Sequence, residues 1–153
     1  MVESMDERRK AIERSLADYN AAGLNRRENI MYRGQWRNLE VIRVKPSLLL
    51  LNNNNNRLTA QLADHPLRQV VIEDPFSTQA QGVIEGLLSK TDKFQDLKNE
   101  LKVLGQQNPG LISRDGLLIN GNTRLVALRQ LGEDGMDVAV LPGDATSEDF
   151  IDI

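Results

Sequence analysis

The chain has 153 residues, 40% hydrophobic and 27% charged, the make-up of one ordinary globular domain. It has no cysteine, which excludes disulfides and thiol nucleophiles, and one histidine, His65, which excludes multi-histidine metal sites and argues against a histidine-centred triad. A net charge of -3 argues against general affinity for nucleic acid, and the longest apolar run, Leu48 to Leu51, is far too short to span a membrane.

Residues 3 to 22 carry Ile12, Leu16 and Tyr19 at helical spacing, and Gly23 is placed to close that helix. The first nine residues are charged and lack the apolar stretch of a signal peptide, so a cytoplasmic location is expected. Asn25 predicts the cap of a second helix running to about Trp36. The alternating, β-branched run Leu39 to Val44 predicts a strand, ended by Pro46.

Five asparagines, Asn52 to Asn56, then predict a loop, because asparagine competes for backbone hydrogen bonds and tolerates left-handed conformations. The loop is either a low-complexity tip or a wall of amides facing a ligand, with the cation Arg57 behind it. Residues 58 to 74 fit helix or strand equally, and Pro75 ends whatever precedes it. Ser77 predicts the cap of a helix to about Lys90. Asp92 predicts another, with Phe94, Leu97, Leu101 and Leu104 on one face and Gly105 as its stop.

The last third carries the most information. Two short apolar runs, 111–113 and 117–119, flank Arg114-Asp115-Gly116, a tight-turn signal that predicts a hairpin or bent strand pair. Asn120-Gly121-Asn122-Thr123-Arg124 follows, then a helix with Leu125, Leu128 and Leu131 on one face and Gly132 as its C-cap. Met136 to Leu141 predicts a final strand, ended by Pro142-Gly143. No cation follows Arg129, whereas seven acids do, which makes the C-terminal end hostile to a phosphate backbone.

A strand, a glycine loop and a helix start make an anion trap: free amides and the positive end of the helix dipole face the ligand. Gly121 would let the backbone approach a phosphate, Thr123 would offer a hydroxyl, and Arg124 would grip phosphate oxygens in a fork. The competing reading is an ordinary turn with Arg124 on the helix surface. For metal or general-base chemistry the carboxylates to consider are Glu73, Asp74 and Asp115, and any metal would be a hard ion such as magnesium. Asp115 already has a turn role, and no catalytic residue follows from the sequence.

The stretch Gly110-Leu111-Ile112, then Asp115 to Gly132 with its Gly-x-x-Arg at 121–124, resembles the signature of the ParB/sulfiredoxin-like domain. Upstream, the strand at 39–44, Pro46 and the asparagine stretch to Arg57 resemble that family's first strand and its Asn/Pro-rich loop ending in arginine. The likeness is good over 92–141, loose over 39–58 and absent over 1–38, and 59–91 reads as an insertion. It implies an α+β fold, a small mixed β-sheet surrounded by helices, occupying 39–153 behind a helical N-terminal extension over 1–38.

It further implies nucleotide-phosphate binding by Asn120, Gly121, Asn122, Thr123 and Arg124, with Arg57, the ligand being ATP or CTP with magnesium. Family members include CTP-dependent DNA-partition clamps, DNases, ATP-using sulfiredoxins and a free-serine kinase. Sulfiredoxin activity is excluded, since that loop needs a cysteine and none exists. The Glu-Asn-x-x-Arg motif and the helix-turn-helix that follow this domain in partition proteins are not in the sequence, which therefore reads as the N-terminal part of something longer. Three functions stay open: a nucleotide-binding module of a DNA-associated protein, with DNA met by regions outside this chain; a ParB-like nuclease, NTPase or kinase-like phosphoryl transferase; and a partner-binding domain that takes no nucleotide.

Overall fold

The structure, a computed structural model, describes residues 4–23, 26–32, 34–52 and 56–142, without the side chains of 56, 57 and 59. Helix α1 (Met5–Ala21) starts at Ser4, whose hydroxyl accepts the Glu7 amide at 3.2 Å. Glu7 answers by accepting the Ser4 hydroxyl at 3.0 Å, and Asp6 joins it at the positive end of the helix dipole. The helix buries Ile12, Leu16 and Tyr19, as their spacing requires, and Gly23 turns the chain away at φ 71°.

The segment expected to form a second helix is instead a hairpin. Strands β1 (Arg27–Tyr32) and β2 (Gln35–Val44) pair antiparallel, with Arg27 opposite Glu40 and Tyr32 opposite Gln35. Only two residues separate the strands, and the second, Gly34, has φ 74°, the left-handed backbone that two-residue hairpin loops demand. Pairing also sends Tyr32, Leu39 and Val41 into one apolar cluster, a gain that a helix over 25–36 would forgo. Asn25, the proposed cap, lies outside the described residues. The helical part of the N-terminal region therefore stops at Ala21, and α1 packs into the main core rather than standing apart from it.

After a 3-10 turn at Pro46–Leu48, the ambiguous stretch resolves into two short helices, α2 (Asn56–Ala63) and α3 (Arg68–Glu73). Helix α4 (Thr78–Leu88) starts at Ser77, whose hydroxyl accepts the Ala80 amide at 3.1 Å. Helix α5 (Phe94–Leu104) is capped not by Asp92 but by Lys93, which sits at φ 68° and makes no side-chain cap bond. Phe94 and Leu101 are buried and Leu97 partly so, but Leu104 is 62% exposed, so the apolar stripe is one position shorter than its sequence pattern. Gly105 ends the helix at φ 73°.

Strands β3 (Gly110–Ile112) and β4 (Leu118–Asn120) form the expected hairpin around Asp115-Gly116. Helix α6 (Asn122–Gln130) and strand β5 (Met136–Val140) complete the chain. The sheet is mixed, in order β1-β2-β5-β3-β4, with β3 and β5 parallel and the other neighbours antiparallel. One sheet face places Ile42, Val44, Met136, Val138 and Val140 against apolar residues of α1, α4, α5 and α6. The other gathers Leu39, Val41, Leu111 and Ala139 with Tyr32, Leu50, Leu117 and Leu141. The architecture is thus α+β, with helices around a five-stranded mixed sheet.

Candidate functional site

The 120–124 loop lies where edge strand β4 hands over to α6. Gly121 is the helix cap, at φ 107°, a backbone that residues with a Cβ rarely adopt. A Cβ added there would meet the Cα of Gly110 at 3.3 Å and Cε of Met136 at 3.4 Å. Both the turn and the close approach of β3 therefore require this glycine, whose missing Cβ would point at Gly110 and Met136.

Gly121 has no side chain to cap the helix, and the first backbone bond of α6 is the Leu125 amide to the Gly121 carbonyl at 2.9 Å. The amides of 122–124 precede that bond and form the open first turn. Asn122 is 8% exposed, and its Oδ1 accepts the Asn52 amide at 2.8 Å. Thr123 and Arg124 are half-buried, and their side chains make no hydrogen bond or ion pair among the described residues. Asn120 is exposed and pairs with Leu111.

The Asn122–Asn52 bond brings the start of the asparagine tract beside this turn. Residues 53–55 and the side chain of Arg57 lie outside the described residues. The segment leading to Asn52 is held at every step. Arg129, near the end of α6, donates to the carbonyls of Pro46 and Leu49, both at 2.9 Å, and pairs with Glu85 at 3.4 Å. Leu50 donates its amide to the Gly116 carbonyl at 2.8 Å and accepts from the Leu118 amide at 3.0 Å. Gln81 takes the Leu51 amide at 2.8 Å and returns its own amide to the Leu51 carbonyl at 2.9 Å and to that of Pro75 at 3.0 Å.

The sequence reading gave Gln81 and Arg129 no role at the site. Gln81 carried a usable signal: it sits three residues before Ile84 and seven before Leu88, on the buried stripe of α4, and a buried polar residue must find partners. Arg129 carried none, since its acceptors are 80 and 83 residues away.

The carboxylate candidates are not gathered. Asp115 is 3% exposed; its carboxylate accepts the Ser113 hydroxyl, while its carbonyl accepts Arg8 Nε at 2.9 Å, so it belongs to the turn and to the seat of α1. Glu73 is exposed and accepts from Gln69 at 2.9 Å, and Asp74, also exposed, caps α3 and receives the Ser77 hydroxyl on its carbonyl at 2.9 Å. Among the described residues no three His, Cys, Asp or Glu side chains cluster as a metal site, and no helix is long and apolar enough to cross a membrane. No protein-family model matches the chain, and no match is found among curated proteins or solved structures.

Proposed function

We propose that this chain is a nucleotide-binding domain of the ParB/sulfiredoxin-like class, taking the phosphates of a nucleoside triphosphate at the start of α6. The observation that carries the reading is Arg124, half-buried at an uncapped helix start and without a protein partner among the described residues. Phosphate oxygens satisfy such a guanidinium in a two-pronged fork, and the amides of the first turn add donors aimed at the same charge. Thr123 contributes a hydroxyl. Asn122 has committed its oxygen to Asn52, so it serves as an anchor, with its amide nitrogen left to donate.

In this reading ATP or CTP with magnesium is the ligand, the domain serves a DNA-associated protein, and contact with DNA falls to other parts of that protein. Calorimetric titration with the four ribonucleoside triphosphates in magnesium tests it. Arg124→Ala should weaken binding by about 1–3 kcal/mol, the scale of a lost charge-assisted hydrogen bond. Unchanged affinity in that variant would move the site elsewhere, and failure of every nucleotide to bind the native chain would end the reading.

A further inference from the structure

A cavity of about 740 Å³ opens between the C-terminal half of α1, the residues that enter the hairpin, and the paired strands β2 and β5. None of its lining belongs to the 120–124 loop or to the segment held beside it. Its volume lies within the range of small-molecule sites, about 300–1,000 Å³.

The lining is apolar in one part and charged in another. Tyr19, Ala22, Val41 and Ile42 supply the apolar surface. The Tyr19 ring is fixed, because its hydroxyl donates to the Arg26 carbonyl. Two cations stand on one carboxylate: Arg26 reaches Asp137 at 2.8 Å and Arg43 reaches its other oxygen at 3.5 Å. Arg43 also meets Asp134 at 3.1 Å, and that hydrogen bond is the main cause raising its pKa further, so its charge is permanent. A guanidinium has five N–H donors, and these contacts use one on Arg26 and two on Arg43, so both keep donors to spare. Asp18, on α1, presents a carboxylate with no hydrogen bond or ion pair among the described residues.

The lining therefore sets two arginines and two aspartates beside an apolar wall, with Asp134 a third carboxylate on Arg43 just outside it. A polyphosphate would meet two carboxylates, and a purely apolar guest would strip water from charges it cannot pair. A guest with one charge of each sign and an apolar body meets both what Asp18 lacks and what the spare guanidinium donors offer. We infer that this cavity binds a zwitterion of the apolar amino-acid class, as the free amino acid or a dipeptide. Its carboxylate takes the spare donors of Arg26 and Arg43, its ammonium meets Asp18, and its side chain lies against Tyr19 and Ile42.

Calorimetry with L-phenylalanine and a phenylalanine-leucine dipeptide tests this, beside 3-phenylpropionate, which lacks the ammonium, and 2-phenylethylamine, which lacks the carboxylate. At least one zwitterion should bind about tenfold tighter than either singly charged analogue. Asp18→Asn changes an exposed helix position and should keep the native melting temperature while removing the preference over 3-phenylpropionate. Arg43→Gln leaves Arg26 on Asp137 and should reduce the preference over 2-phenylethylamine severalfold. Absence of saturable binding by both zwitterions at millimolar concentration would overturn the proposal. So would 3-phenylpropionate binding as tightly as phenylalanine, or a preference that survives Asp18→Asn.

Discussion

Replacing Gln81 with alanine should cost far more than its place on a helix implies. The Leu51 amide has Gln81 as its acceptor, and both groups are buried. Leaving a buried N–H without a partner costs about 1–3 kcal/mol. The carbonyls of Leu51 and Pro75 each lose one bond as well, at about 0.5–1.5 kcal/mol apiece. Some loss is recovered if water enters, so the expected destabilisation is about 3 kcal/mol, or roughly 6–12 °C in melting temperature for a chain of this size. Urea denaturation of Gln81→Ala beside Gln79→Ala measures it. Gln79 lies on the same helix with its side chain exposed, and so controls for helix propensity. If the two variants agree within about 0.5 kcal/mol, the usual range of surface substitutions, the three bonds do not hold the Asn52 segment and the clamp is refuted.

Gly121→Ala should destabilise the fold by about 1–3 kcal/mol with no ligand present, since it forces a side chain into a left-handed backbone and against Gly110; a chemical denaturation curve shows this directly. Trp36, 70% exposed beside its strand partner Met31, should emit at solvent-exposed wavelengths and be quenched by iodide, and Trp36→Ser should cost no more than about 1 kcal/mol. DNA binding by the chain alone should be weak and should vanish as salt rises, because its net charge is -3; sequence-specific binding that survives physiological salt in a gel-shift assay would contradict this.

What the sequence reveals about this fold is what local chemistry controls. Ser77 caps α4, Gly105 stops α5, Asp115-Gly116 turns the chain between β3 and β4, and Gly121 opens α6, each through an interaction spanning a few residues. The hairpin of β1 and β2 was hidden because its strands gain only by pairing. Exposed Arg27, Glu28 and Asn29 give the first strand no alternation, and Gly34 is its one local mark. Gly121 was legible as the glycine of a turn, but its packing was not: its missing side chain makes room for Gly110, eleven positions earlier, a neighbour that no spacing rule predicts.

The parts that remained hidden share one geometry. Residues 46–52 form no long strand, yet their polar backbone groups are bound from three elements: Arg129 and Asn122 on α6, Gln81 on α4, and the strand pairing of Leu50 beside β4. Helix α6 thus grips one segment at both ends, with Asn122 in its first turn and Arg129 in its third. The wall beside the helix start is consequently set by the same rigid body that supplies the first-turn amides. Asn52 and the first-turn amides, both set by one helix, keep their spacing without help from a ligand. In the proposed nucleotide reading, Asn122 then serves as an anchor through Asn52, and Arg124, half-buried and without a side-chain partner among the described residues, is the cation offered to a phosphate.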